Sequence, residues 1–561
     1  METRRQLIAS RQKTQGTLQK ASLFHPKTLS DVMVSDRFVA QPGPIPEPLR
    51  ALYEQTERAR KELGGFSDIS EPTALWTEGL MDEMRGANDA ALSAYTKAAD
   101  TLDQDRRSLT DDKSRGTFLE NRIGIYYAAI LQRLERHQYD EAFQLLERSR
   151  SRALAELLAT RKLTLNQPQE QSLYAQDQLL RTQIADAQGQ LFERVSASKA
   201  AALQAQIHSL QDQERQLTRR MQPHLLELVD SRPVTLGQLQ KSMRAEHFET
   251  LEYLVLEHGL IVWLITPDAV VVKNVFLPRT ELITKVAALQ NSLSDRRSAF
   301  DAKVAKELFL YLIAPMLADV RGHHLVVIPH EALDYIPFEV LEDSEPLGQR
   351  FQISYAPSAS VLLGLKSSQS LSGGRLLAVA DPSITAAPTE VTAIAKSFNG
   401  TRKVVTEALA SETDVKRWAG EYDVIHLSVH GKFNAPEPML SYLLLGPDAD
   451  NDGRLTAAEM FGLPLGSSRV IVLSGCETGR VEATHANEIL GMVRGLLYAG
   501  AGSLVMSHWE VDSDATALWM REFYEAAQTR PLPEAVQRAS TKVRTSFSHP
   551  YYWAAFTLIG R

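Results

Sequence analysis

The chain has 561 residues, 44% of them hydrophobic and 23% charged, and a net charge of −8. Such a length holds about three to four ordinary globular domains, and the acidic balance argues against a general nucleic-acid binder, which would carry a basic stripe. Its one cysteine, Cys476, excludes an internal disulfide and any multi-cysteine metal site.

Residues 1–75 begin with METRRQLIASRQKTQG, which lacks the apolar core of a secretory signal, and contain PGPIPEP (Pro42–Pro48), a breaker that reads as a linker. No run of 18 apolar residues suggests a membrane span. With a single cysteine, the reducing cytoplasm is the expected location.

Residues 76–165 read as helical repeats. Ala90, Ala91, Ala94, Tyr95 and Ala98 recur at helical spacing. In YYAAILQRLERHQYDEAFQLLERSRS, one helix should end near His137 and a second open at Tyr139, with the small Ala142 where the two approach. This unit resembles the tetratricopeptide helix-turn-helix. Residues 166–228 predict a long antiparallel helical hairpin with a narrow apolar seam, Leu180, Ile184, Leu191 and Val195 lining one face of the first helix and Leu203, Ile207, Leu210 and Leu217 one face of the second.

After Pro233 the texture becomes β-rich. LEYLVLEHGLIVWLITPDAVVVKNVFL reads as strands broken by His-Gly and Pro-Asp turns, and HLVVIPHEALDYIPFEVL as a buried strand, a turn and a compact apolar segment. From about 374, strands alternate with helices of about 10 to 15 residues, which predicts a mostly parallel sheet with functional groups at the carboxyl ends of its strands. The strands are RLLAVADP, TRKVVT, VIHLSVHG, SYLLLG, RVIVLSGC and GSLVMSHW, with a last helix starting near Asp514.

Two of these strands end in reactive side chains. VIHLSVHG ends in His430 followed by Gly431, and RVIVLSGCETG ends in Gly475 and Cys476, 46 positions later. A thiol needs ionisation to attack a carbonyl, and an imidazole beside it supplies that and shuttles protons. The glycines let a substrate approach the backbone, and the N–H groups of Gly431 and Cys476 are candidates for an oxyanion hole. The alternative is that a lone cysteine is only a small buried hydrophobe. After the next strand, HWEVDSDAT places Glu510, Asp512 and Asp514 where an acid can bind a basic substrate side chain. Asp512 is the first choice, against the alternative that these acids cap the following helix. His426, four residues before His430, reads as a packed strand histidine, since that spacing on a strand is about 13 Å. His323 and His324 open a strand with no partner pattern, and His485 reads as a solvated loop residue. No nucleotide-binding, zinc-protease or serine-hydrolase motif is present, and neither a cofactor nor a metal is called for.

VIHLSVHGKF, LSGCETG, NEILGMVRGLLYAGAGSLVMSHWEVDSDAT and HPYYWAAFTLIG resemble the CHAT domain, a caspase-like, separase-related clan that usually follows tetratricopeptide repeats. PHEALDYIPFEVL and YDEAFQLLERSRSRALAELLA also match its pattern, so the resemblance covers about residues 120–561. It implies an α/β caspase-like fold, a mostly parallel sheet flanked by helices, behind an N-terminal all-α repeat region. It further implies an inactive half at 229–365, a catalytic half at 366–561, and a cysteine peptidase using His430 and Cys476. Family members cleave protein substrates, some of them pore-forming proteins or partners in bacterial immunity. The expected partners are therefore a protein substrate and an activating protein on the helical repeats, with no membrane and no direct nucleic acid. The rival readings are a catalytically silent scaffold for protein assembly and a Cys-His hydrolase of small amides.

Overall fold

The computed structural model describes residues 71–108, 122–150, 233–366, 370–432, 434, 438–475, 491–509 and 511–561, with scattered positions between 176 and 217. It divides into two compact units. One takes Met1–Arg150 with Val255–Leu260 and Phe276–Arg279, and the other takes Ser151–Leu254, Ile261–Val275 and Thr280–Arg561.

The described helices of the first unit are α1 (Glu71–Met84), α2 (Asn88–Ser108), α3 (Gly124–Glu135) and α4 (Tyr139–Arg148). The short turn between α3 and α4 lies where the sequence puts it and is closed by His137 at φ 56°. Tyr126, Ala129, Ala142, Phe143 and Leu146 are buried and carry the apolar contact. Buried polar groups fix how the helices meet. Glu83 of α1 accepts from the Tyr95 hydroxyl of α2 (2.5 Å) and from Gln132 Nε2 of α3 (2.8 Å). Asp103 of α2 accepts from the Tyr126 hydroxyl (2.6 Å) and Arg148 Nε (2.7 Å). Such directional bonds specify one packing where apolar contact alone would allow several.

Most of the predicted hairpin at 166–228, including Leu191 and Val195, lies outside the described residues. Of those that are described, Ala187, Leu203 and Ile207 form one apolar cluster. Among the described residues, no helix is long and apolar enough to cross a membrane.

The second unit is built on an eleven-stranded sheet, ordered β3-β2-β1-β4-β5-β14-β13-β12-β8-β6-β7. Its strands are β1 (Glu249–Val255), β2 (Leu260–Ile265), β3 (Val270–Val275), β4 (His324–Ile328), β5 (Gln352–Tyr355), β6 (Arg375–Ala380), β7 (Thr401–Val405), β8 (Val424–Ser428), β12 (Val470–Leu473), β13 (Leu504–Ser507) and β14 (Phe556–Ile559). Its helices include α5 (Leu236–Glu246), α6 (Arg279–Ser294), α7 (Ala302–Leu312), α8 (Ala387–Ser397), α9 (Glu412–Trp418), α10 (Ala457–Met460), α11 (Met492–Ala499), α12 (Ser513–Ala527) and α13 (Leu532–Ser546). Strands such as LIVWLI and HLVVI are buried along their whole length, the pattern of a sheet covered on both faces.

From β1 through β4, β5 and β14 the strands run parallel. The direction reverses where β14 pairs antiparallel with β13, and β13, β12, β8, β6 and β7 are again parallel to one another. The mostly parallel sheet flanked by helices expected from the sequence is therefore present. The carboxyl ends of β6, β8, β12 and β13 share one edge, and those of β1, β4 and β5 lie at the other. SYLLLG departs from expectation: Tyr442–Leu444 is β10 of a separate three-stranded sheet with β9 (Gly431–Lys432) and β11 (Arg454–Thr456).

Two buried carboxyl sites give testable consequences. Glu339 is buried beside Tyr355, whose hydroxyl donates to Oε2 (2.6 Å), and burial pushes its pKa up to about 7. The folded state therefore binds this proton more tightly than the unfolded chain, and stability falls as pH rises from about 4.5 to 7. Glu339→Gln should be about 1–3 kcal/mol more stable than wild type at pH 8 and equal to it at pH 4, as read by urea melts at both pH values.

Lys416 of α9 forms an ion pair with Glu412 Oε1 (2.7 Å) and donates to Glu459 Oε1 (2.8 Å) and Asn451 Oδ1 (2.7 Å), tying α9 to the loop and helix that follow β10 and β11. Burial opposes its charge, but the two carboxylates outweigh that and hold its pKa above the ordinary value. Burial and the Glu459 charge push Glu412 upward. Lys416→Met removes the counter-charge from two buried carboxylates and should cost about 3 kcal/mol in urea melts at pH 7, with part of the loss recovered at pH 5.

Candidate active site

The site grows from β8. Its five residues are buried, and it pairs on one side with β12, from Val424↔Val470 to Leu427↔Leu473, and on the other with β6, from Leu376↔Val424 to Ala380↔Ser428. The ladders continue past the strands: Ser474 N–H donates to Leu427 O (2.9 Å) and Asp381 N–H to Ser428 O (2.8 Å). Three chain exits thus stand side by side at one edge: Asp381–Ser383 after β6, His430 after β8, and Ser474–Gly475 after β12.

His430 is exposed at its tip. Its Nε2 lies 3.5 Å from the Ser383 hydroxyl, the long limit for such a bond. That contact leaves Nδ1 as the ring nitrogen not engaged by Ser383. Its carbonyl accepts from Leu444 N–H (2.8 Å), the start of the small sheet. This bond flanks the Gly431↔Leu443 pair and makes it a non-hydrogen-bonded one, so β10 leaves the Gly431 N–H unspent.

Cys476 lies outside the described residues, as do His485 and Glu510. The residue before the cysteine is placed: the Gly475 carbonyl accepts from the Ser507 hydroxyl of β13, which fixes the end of β12 from its other side.

Asp512 is the N-cap of α12. Its Oδ1 accepts from Asp514 N–H and Ala515 N–H (3.2 Å each), and its Oδ2 from Arg296 Nη1 (2.6 Å). Its carboxylate therefore caps the helix and also meets a cation. Asp514 is exposed on the first turn of that helix.

His426 is fully buried, as the sequence suggests, and packed with polar partners. Its Nε2 lies 2.8 Å from Glu390 of α8 and its Nδ1 3.2 Å from the Tyr524 hydroxyl of α12. His324 pairs with Ser354 Oγ (2.9 Å), and burial pushes its pKa down to about 4.

Three neighbours escape sequence reasoning. Ser383 and Arg296 sit in loops without periodicity, although Asp-Pro-Ser directly after a predicted strand marks a tip at the functional edge. His508 follows β13, two residues past the Leu473↔Met506 pair, just as Gly475 does on β12. Its Nε2 is buried with no hydrogen-bond partner among the described residues, and burial pushes its pKa down to about 4, so the ring is neutral at physiological pH.

The loop Asp448–Glu459 also has the acid-glycine-acid spacing of a calcium loop. Its groups are engaged elsewhere: Asp448 accepts from Thr413 and from its own turn, Glu459 caps α10, and the Lys416 ammonium bonds Glu459 and Asn451. Among the described residues, no group of three or more His, Cys, Asp or Glu is arranged to hold a metal ion.

Residues 302–561 match the CHAT domain family model. The mouse (Mus musculus) tetratricopeptide repeat protein 28 is 34% identical over 109 residues, 19% of this chain and 4% of that protein. The chain thus spans a small fraction of the curated relative's length. The Saccharomyces cerevisiae separase in its complex with securin aligns over 98% of this chain and 48% of its own at 9% identity and a TM-score of 0.41. The Arg-specific cysteine proteinase gingipain R aligns over 50% of this chain and 74% of its own at 8% identity and a TM-score of 0.32. The chain carries a CHAT domain over residues 302–561, and that domain contains His430, Cys476 and every strand from β4 to β14.

Proposed function

We propose that this chain is a cysteine endopeptidase in which Cys476 attacks the carbonyl of a protein substrate and His430 manages the protons. The observation that carries the reading is the parallel, in-register pairing of β8 with β12, which sets an exposed imidazole at one strand tip and Gly475, immediately before the chain's only cysteine, at the next.

The chemistry follows from that placement. The Cys476 thiolate adds to the scissile carbonyl, and the oxygen gains a negative charge met by the N–H groups of Gly431 and Cys476. One such donor contributes about 3 kcal/mol to the transition state. His430, protonated by the thiol, gives that proton to the leaving amine, and the C–N bond breaks to leave a thioacyl-enzyme. The now neutral His430 takes a proton from water as it attacks, and the acid product leaves with the thiol restored. Ser383 restrains the ring through Nε2, so that Nδ1 serves the cysteine. Asp512 is the acid, of the three in HWEVDSDAT, that receives a basic substrate side chain. The helices of the N-terminal unit recruit the protein substrate or an activating protein partner.

Because the chain has one cysteine, thiol alkylation reports on Cys476 without ambiguity. In the wild type, iodoacetamide should modify it at appreciable rates well below the ordinary thiol pKa of about 8.5. His430→Ala should return the pH–rate curve to that of a free thiol and slow alkylation at pH 6.5 by about tenfold or more. A cysteine unreactive in the native wild type, and alkylated only after unfolding, would instead favour a non-enzymatic scaffold.

A further inference from the structure

The contact that calls for explanation is Arg296 with Asp512. It joins a loop preceding β4 to the segment that follows β13, 216 positions along the chain. Both groups belong to the second unit.

The loop from Asp295 to Asp301, between α6 and α7, is held on both sides of Arg296. Arg297 folds back on Asp295 with two bonds, Nε to Oδ1 and Nη2 to Oδ2 (3.0 Å each), and this pairing holds the Asp295 carboxyl below its ordinary range. On the other side, Ser298 O lies 3.0 Å from His549 Nε2, the Phe300 ring stands edge-on to His549, and Asp301 caps α7 through Val304 N–H. The loop is thus fixed while one arginine reaches away from it. The Arg296 side chain is 55% exposed and Asp512 17%.

Asp512 is equally constrained. Its Oδ1 is committed to the first turn of α12, so Oδ2 is the oxygen left to meet a cation, and Arg296 holds it. Asp512 follows β13, the strand beside β12, at the sheet edge that carries His430 and the approach to Cys476. A basic substrate side chain reading Asp512 would need the oxygen that Arg296 occupies.

We propose that Arg296 is a resident competitor for the substrate's basic side chain: it fills the Asp512 subsite in the free protein and must be displaced when an arginine or lysine of the substrate enters. This rests on the peptidase reading above and assigns Arg296 a role that reading does not give it. An ion pair with one partner more than half exposed is a weak one, resisting displacement by a factor of about 2 to 5. Arg296 therefore sets a threshold. A side chain held by further contacts in the cleft displaces it, and free cations or poorly docked basic peptides do not.

The test uses the full chain and its single thiol. Cys476 is labelled with an arginyl and with a leucyl peptidyl chloromethyl ketone, and separately with iodoacetamide. Arg296→Ala should speed labelling by the arginyl reagent about 2- to 5-fold at subsaturating concentration, through tighter reversible binding and an unchanged limiting rate. The leucyl reagent and iodoacetamide should be unaffected. Asp512→Asn, which keeps the helix cap, should erase the preference for the arginyl reagent, and adding Arg296→Ala to it should change nothing further. Equal changes for both ketones, no change for either, or an Arg296→Ala gain that persists in the Asp512→Asn background overturns the proposal. Failure of the underlying reading looks different: iodoacetamide then shows no enhanced reactivity of Cys476 in any variant, and the proposal falls with it.

Discussion

The candidate chemistry depends on one constraint: β8 and β12 are neighbours, parallel and in register. Parallel neighbours end at the same sheet edge, and side chains just beyond such ends are held by backbone ladders and need no flexible loop to bring them together. The ladder runs past the strands on both sides of β8, with Ser474 N–H on Leu427 O and Asp381 N–H on Ser428 O, and this fixes where His430 leaves the sheet. A one-residue slip of β12 would turn each of its side chains to the opposite face and move Gly475 relative to the imidazole. The apolar faces of VIHLS and VIVL, buried along their whole length, oppose such a slip.

Polar groups beneath the site add specificity to that apolar packing. His426, in mid-strand, reaches Glu390 on α8 and Tyr524 on α12, so one side chain of β8 registers two covering helices against the sheet. Lys416 does the corresponding work beyond the strand. It joins Glu412 of α9 to Glu459 of α10, and so braces the small sheet whose first strand begins at Gly431. A buried network of this kind costs desolvation and returns a single arrangement only when its members are paired.

Much of this was legible in the sequence because strand tips carry a local signal. Runs such as VIHLSVHG and RVIVLSGC show a buried strand followed at once by glycine and a reactive side chain, and the helix-turn-helix around His137 shows in the second helix that Tyr139 and Ala142 open after a short polar turn. Whatever depends on tertiary partners was not legible. Nothing in FTLI says that β14 reverses the sheet direction against β13, and nothing in SYLLLG separates a main-sheet strand from a member of a small one. Asp512 was read as a choice between helix cap and cation receptor, whereas its two oxygens divide the roles. Arg296 and Ser383 act through single long-range contacts, which leave no periodic trace.

The histidines give an independent physical argument about which of them can serve as a proton carrier. A general acid that donates to a leaving group and is then reset must be able to carry a proton near neutral pH and exchange it with solvent. Burial pushes His324 and His508 down to about 4, so neither holds a proton at pH 7. His426 is sealed from water, with both ring nitrogens engaged by Glu390 and Tyr524. His430 stands at the carboxyl edge with an exposed ring and one nitrogen not engaged by Ser383. Of these four imidazoles, it alone is exposed at that edge, one strand away from Gly475, the residue before the chain's only cysteine.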